Sequence, residues 1–341
     1  MYKKILISNR AGIGDVILTT PVLRALKEKF PNSKITLLIT PNCTQVVKGL
    51  DFIDEIITYD KKKDSVWTIV KHIRKYDLAI CLDFKYRTAV MAFFAGIPIR
   101  AGLTYKRGLF MTHGVEKSSQ WENTYEACNY ANVIKDSTGI ELTGHFTKLY
   151  VPKADRTDTK YIDDFFASCG IEKEKALITI APFTSWLPKN WPLEYYVELV
   201  KLLIERYPHQ ILLVGMASEF EKCAELQSIS GVTNALGKTS LLQMIEVIRR
   251  SQLFIGGCSA PLHMAAALQT PFVAFYGATS PEHWAPRTQG ITLSRRLECS
   301  PCNGPMIGCA EKTCMYDITV ADALEACEKM LGIATKKNAM M

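Results

Sequence analysis

NRAGIGDVILTTPVLRALKEKF, residues 9–30, follows the first apolar run of the chain, KILIS at residues 4–8. The run is short and rich in isoleucine and leucine, as a buried strand is. Gly12, Gly14 and Asp15 come next. Thr20 can then cap a helix with Pro21 at its first position, and Val22, Leu23, Leu26 and Phe30 fall on one face of it. The stretch reads as strand, glycine loop, helix. One such unit is the seed of an α/β domain, and the rest of the chain decides whether it is repeated.

It is repeated. In the first half, strands are expected at Lys4–Ser8, Ile35–Thr40, Glu55–Tyr59, Leu78–Leu82 and Ile97–Gly102. Helices alternate with them at Asn42–Leu50, Asp64–Lys75, Arg87–Ala95 and Trp121–Thr138. The polar stretch VPKADRTDT, residues 151–159, interrupts the pattern. Beyond it, strands are expected at Ala176–Ala181, Gln210–Gly215, Leu253–Gly256, Phe272–Tyr276 and Ile291–Ser294. The intervening helices are Tyr161–Ser168, Pro192–Tyr207, Glu219–Ile229, Leu241–Arg250, Pro261–Gln269 and Val320–Leu331. This alternation predicts two doubly wound α/β domains, residues 1–155 and 156–341. Ligands of such sheets bind beyond the carboxyl ends of the strands, and with two domains facing each other the expected site is the cleft between them. The total of 341 residues suits two domains, and 48% hydrophobic with 22% charged residues is ordinary for a globular protein. No apolar run is long enough to span a bilayer and the start is too short for a secretory signal, so a cytoplasmic location is expected. The net charge of +7 favours an anionic substrate or an acidic membrane surface. No basic run with interleaved aromatics points to nucleic acid.

The glycine loop fails the dinucleotide fingerprint. Ile17 stands where a third glycine is needed, and the second strand ends LLITPN without the acid that would hold a ribose. A nicotinamide or flavin oxidoreductase is therefore disfavoured. Asp15 has two readings: a carboxylate that takes a proton from a hydroxyl, or a cap on the following helical turn. Four stretches of the second half place polar groups at strand ends or helix starts. APFTSWLPKNWP, residues 181–192, offers Thr184, Ser185 and Lys189 to a phosphate, or is an exposed loop pinned to the core by Trp186 and Trp191. GGCSAPLHMAAALQTP, residues 256–271, presents the amides of Ser259 and Ala260 at a helix start with Pro261 in the first position. His263 lies in its first turn, where a structural role is the ordinary one. GMASEFEK, residues 215–222, offers Glu219 or Glu221 to a ribose, or is an acidic first turn. YGATSPEHWAPR, residues 276–287, is a turn-rich loop expected beside the same site.

GIGDVILTTPVLRAL near the start, KNWP in the middle and SAPLHMAAALQTPFVAFYGATSPEHWAP in the second half together resemble glycosyltransferase family 9, the heptosyltransferases of lipopolysaccharide core assembly. The resemblance spans nearly the whole chain in correct order. It implies the GT-B fold, two Rossmann-like domains facing across a cleft, the first on the acceptor side and the second on the nucleotide-sugar side. It implies inverting transfer of a sugar, heptose from ADP-heptose, to a lipopolysaccharide core or related lipid-linked glycan without a catalytic metal. Residue by residue, Asp15 matches the general base, with Gly14 beside it on the acceptor side. Thr184, Ser185 and Lys189 match the phosphate loop, Lys189 also acting on the leaving diphosphate. Glu219 matches the ribose contact and Thr239 the approach to the base. Cys258, Ser259, Ala260, Pro261, Leu262 and His263 match the segment around the diphosphate. The family has Asp where this chain has Cys258, Gly where it has Ala260, and Pro-Gly where it has Pro182-Phe183. A thiol is a poor acceptor for sugar hydroxyls, so a transferase for a different sugar and a nucleotide-sugar-binding protein without transfer are the alternatives.

Cys299, Cys302, Cys309 and Cys314 crowd into sixteen residues, a spacing open to a structural zinc, a disulfide or redox pair, or free thiols. The other seven cysteines are scattered, often in apolar runs, as core residues of a reducing compartment. RTAVMAFFAGIPIRAGLTYKRGLFMTH, residues 87–113, is read either as a face for an anionic lipid-linked acceptor at a membrane surface or as a core helix, a strand and a solvated basic turn. The helix is expected in the core. Lys106 and Arg107 in the turn are the candidate acceptor contacts.

Overall fold

The computed structural model describes residues 2–172, 175–302 and 313–332. The chain divides into two compact units, Met1–Pro152 and Lys153–Met341, against the 155/156 boundary expected.

In the first unit the strands are β1 (Lys4–Ser8), β2 (Lys34–Ile39), β3 (Glu55–Thr58), β4 (Leu78–Cys81), β5 (Ile99–Leu103) and β6 (His113–Val115). They pair in parallel in the order β3-β2-β1-β4-β5-β6. The helices are α1 (Ile13–Lys29), α2 (Val66–His72), α3 (Tyr86–Phe94) and α4 (Glu126–Thr138). β1 and β4 are fully or almost fully buried beyond Lys4, which is why they read as continuous apolar runs rather than alternating ones. α1 starts at Ile13, not after Thr20, and Pro21 lies inside it. Pro21 has no N–H for the carbonyl of Ile17. The Thr20 hydroxyl donates to that carbonyl at 2.6 Å instead, so the helix runs through. Asn42–Leu50, expected as a helix, is a 3₁₀ turn over Pro41–Val46.

The second unit contains β7 (Leu177–Ala181), β8 (Gln210–Leu213), β9 (Val232–Asn234), β10 (Leu253–Gly257), β11 (Phe272–Tyr276) and β12 (Gly290–Ser294), in the order β12-β11-β10-β7-β8-β9 and again parallel. Its helices are α5 (Arg156–Ser168), α6 (Leu193–Arg206), α7 (Ala224–Gln227), α8 (Leu241–Arg250), α9 (Ala260–Leu268), α10 (Pro281–Trp284), α11 (Thr313–Tyr316) and α12 (Val320–Met330). The span expected as one helix over Glu219–Ile229 is broken into two 3₁₀ turns and α7.

Both sheets have the doubly wound order, in which the crossover direction reverses between the first and fourth strands. The reversal falls between β1 and β4 in one unit and between β7 and β10 in the other. The loops leaving those four strands define where each unit can hold a ligand.

Trp191 anchors one of them. It stacks on Phe275 at 4.2 Å between centroids and donates from Nε1 to the carbonyl of Ile318 at 2.8 Å. Trp191→Ala removes a fully buried ring and orphans that carbonyl. It should lower unfolding free energy by about 3–5 kcal/mol, measured by denaturant unfolding.

Candidate functional site

In the first unit the loop after β1 carries Asp15 into the first turn of α1, where the N-cap is Gly12. Its Oδ2 accepts the Gly12 amide at 3.0 Å. Oδ2 thus closes the helix start, as the capping reading expected, and the residue is half-exposed at the carboxyl end of the sheet. Buried Asn9 braces the loop, donating to Thr19 Oγ1 at 2.8 Å, while Thr19 Oγ1 donates to the Asp15 carbonyl at 2.8 Å. Gly14 follows in the same half-exposed turn.

The loop after β4 brings Asp83 to the same end. Buried Asp83 accepts the Ser8 hydroxyl and the Arg10 amide on Oδ2, both at 2.8 Å, and the Lys85 amide on Oδ1 at 2.6 Å. Arg107 stands 3.8 Å from it. Arg107 departs from its expected role as an open acceptor contact. It is 1% exposed, and its fork is spent on the carbonyls of Leu103, Lys85 and Cys81. It fastens the β5 loop to the end of β4. Lys106 is exposed, with its backbone in the left-handed region at φ +54° and its ammonium over the Tyr105 ring.

Sequence reading missed Arg10 altogether. It is 93% buried by surface area (7% exposed) and lies over the Tyr59 ring at 4.5 Å. Nε and Nη1 have no hydrogen-bond partner among the described residues. Burial pulls its pKa below the ordinary value, with Asp83 and Tyr59 opposing. Leaving such donors unmade costs about 1–3 kcal/mol each.

In the second unit the loop after β7 folds back on itself. The amide of Thr184 donates to Asn190 Oδ1 at 2.8 Å, and Thr184 Oγ1 lies 2.9 Å from Asn190 Oδ1 and 2.9 Å from the Trp186 carbonyl. A hydroxyl has one proton to donate, so Thr184 shapes the loop rather than reaching outward. Ser185 is exposed, and Lys189 is half-buried with its ammonium over Trp186. The loop packs on the end of β10. A Cβ on Gly257 would stand 3.0 Å from Thr184 Cγ2 and 3.1 Å from the Lys189 carbonyl, and one on Gly256 would meet the Ala181 carbonyl at 2.9 Å. Only glycines let the two loops approach this closely.

Cys258 is 6% exposed. Ser259 is the N-cap of α9, Ala260 its first residue and Pro261 its second, one position later than expected. Leu262 is wholly buried, a core residue. His263 is also buried, and its Nδ1 has no partner among the described residues. Burial, with the charge of Lys189 adding to it, pushes its pKa down to about 3. The loop that carries Ser185 and Lys189 packs through Thr184 and the Lys189 carbonyl on Gly257, two residues before the N-cap of α9, so this loop and the start of α9 share the β7/β10 reversal.

Glu219 and Thr239 lie beyond the neighbouring strands β8 and β9. Glu219 is buried, its Oε2 accepts the Met216 amide at 2.8 Å, and burial raises its pKa. The Gly237 amide donates to the Gly215 carbonyl at 3.0 Å and joins the two loops. The Thr239 hydroxyl is buried without a partner among the described residues.

Among the described residues no group of three or more His, Cys, Asp or Glu could hold a metal. Cys309 lies outside them. Cys299 and Cys302 are exposed and Cys314 is buried. Cys302 and Cys314 both sit over the turn after β11: the Cys302 amide donates to the Ala278 carbonyl, and a Cβ on Gly277 would meet Cys314 Sγ at 2.6 Å.

Residues 66–312 match the profile of glycosyltransferase family 9 (heptosyltransferase). Lipopolysaccharide heptosyltransferase 2 of Escherichia coli (strain K12) is 25% identical over 314 residues, covering 86% of this chain and 88% of that one. A crystal structure of a family 9 glycosyl transferase from Veillonella parvula superposes with a TM-score of 0.83 at 24% identity, covering 97% of both chains. The structure of E. coli ADP-heptose lps heptosyltransferase II superposes with a TM-score of 0.78 at 22% identity, covering 96% and 98%. The fold is the GT-B type.

Proposed function

The chain belongs to glycosyltransferase family 9, and from that premise we propose that it transfers heptose from ADP-heptose, with inversion, to a lipopolysaccharide core or related lipid-linked glycan. The observation that carries this reading is the placement of ligand-binding groups at both crossover reversals. Asp15 stands at one; Ser185, Lys189 and the first amides of α9 stand at the other. The acceptor hydroxyl gives its proton to Asp15 as its oxygen bonds the anomeric carbon. The bond from that carbon to the diphosphate breaks, and the electron pair leaves with the diphosphate. Lys189, the Ser185 hydroxyl and the amides of Ser259 and Ala260 stabilise this growing charge more than the ground state. With these donors the reaction needs no metal. Neutral His263 adds no positive charge of its own beside them.

Incubation with ADP-heptose and a heptose-deficient core acceptor should release ADP in proportion to acceptor glycosylated. Donor at 100 Kd should also stabilise the protein by about 2.7 kcal/mol. Neither ADP release nor thermal stabilisation by the donor would leave this reading without support.

The same reading places the first unit against an anionic bilayer at the cytoplasmic face of the inner membrane. No helix among the described residues is long and apolar enough to cross one. α3 buries Thr88, Ala89, Met91 and Ala92, but its last two residues, Phe93 and Phe94, are exposed, unlike the core helix expected. Trp67 of α2 contacts Phe94, Phe94 contacts Phe93, and Phe93 contacts Phe110, with the Arg100 guanidinium over Phe93. Leu109 beside them is 93% exposed. Aromatics interleaved with cations suit an anionic interface. Binding to vesicles containing phosphatidylglycerol should weaken as salt rises and should fall at least tenfold in a Phe94→Ser, Leu109→Ser variant. Equal binding by that variant would remove the patch from the interface.

A further inference from the structure

Two buried arginines share the carboxyl end of the first sheet, and they differ. Arg107 gives every nitrogen of its fork to a main-chain carbonyl. Arg10 gives Nε and Nη1 to nothing among the described residues, although it is 7% exposed. Its plane is held by the Tyr59 ring at 4.5 Å, a contact that uses no donor. Asp83 does not fill them: its oxygens take the Ser8 hydroxyl and the main-chain amides of Arg10 and Lys85, and neither Nε nor Nη1 of Arg10 bonds to it. Arg87 approaches from α3 and donates to the Tyr59 hydroxyl at 3.3 Å. Arg107 thus stands 3.8 Å from Asp83, Arg87 and Arg10 share the Tyr59 side chain, and the planar fork of Arg10 is left open.

We infer that Arg10, stacked on Tyr59 and flanked by Arg87, binds an acidic group of the acceptor, a sugar carboxylate or a sugar phosphate. The fork of an arginine matches both anions in geometry and charge. Arg10 leaves β1 in the same loop that carries Asp15, so the group it holds belongs to the acceptor residue whose hydroxyl meets Asp15, or to its neighbour. This rests on the transfer reading above for its choice of ligand.

The test is an NMR titration of the full chain, following the arginine Nε–H resonances with glucuronate, glucose 6-phosphate and neutral glucose as probes. The Arg10 signal, assigned by its loss in Arg10→Gln and in Arg10→Lys, should shift with one or both acids and not with glucose. Which acid moves it decides between carboxylate and phosphate. Both variants should weaken the acid at least tenfold while ADP-heptose binds as in the parent. A lysine that keeps the fold and the charge but fails to restore binding separates recognition by the fork from structural support. A stationary Arg10 signal, or acid binding unchanged in both variants, would overturn the proposal. Failure of the transfer reading shows itself separately, as absent ADP release in the unaltered enzyme.

Discussion

Asp15→Asn is expected to lower kcat by about 10²–10⁴-fold while leaving the fold intact. Asparagine keeps an oxygen where Oδ2 accepts the Gly12 amide, so the helix start survives. The bracing by Asn9 and Thr19 runs through the main-chain carbonyl of residue 15 and is untouched. What is lost structurally is a negative charge at a helix N-terminus, about 0.3–1 kcal/mol. A rate loss of two or more orders of magnitude cannot come from that. The measurement is kcat at saturating donor and acceptor, with unfolding followed in parallel. An asparagine variant turning over at the parental rate would show that Asp15 is only a cap.

Lys189→Met should weaken ADP binding about tenfold or more, since a hydrogen bond to a charged group contributes about 1.5–3 kcal/mol. It should lower kcat/KM by a further factor, to a total of about 10²–10³. The two effects differ because the diphosphate is already charged when it binds and gains charge as it leaves. Calorimetry with ADP and steady-state kinetics separate them. His263 does not change the outcome: burial is the larger cause of its lowered pKa and the Lys189 charge the smaller. The ring stays neutral in the variant, and lowering the pH should not rescue it. Loss of ADP binding without any change in kcat would restrict Lys189 to the ground state.

The strands of both sheet centres were legible because burial on two faces leaves unbroken apolar runs, as in LITIA of β7 and FVAFY of β11. The three-residue edge strands β6 and β9 were not: His113–Val115 and Val232–Asn234 carry no fully buried residue to mark them. Pro21 misplaced the start of α1, because a proline reads as a helix beginning and the repair by Thr20 is visible only in three dimensions. The placement of Asp15, Ser185 and Lys189 just past strand ends could be read from order alone, because each follows directly on an apolar run. Arg10 and Asp83 could not. They are 73 positions apart, and their meaning comes from sheet order placing β4 beside β1. Asn190 was missed for a related reason: its task is to receive Thr184 within the loop, and an asparagine between Lys189 and Trp191 announces nothing.

That small ring of bonds from Thr184 to Asn190 has a thermodynamic consequence. A phosphate-gripping loop that waited for its ligand to take shape would surrender backbone freedom at each encounter, and the association would be correspondingly weaker. Here the turn is closed by its own amide and hydroxyl, propped against Gly257 and tethered by the Trp191 ring. Its ordering is completed once, when the protein folds, and under the proposed function an arriving nucleotide would meet a finished surface.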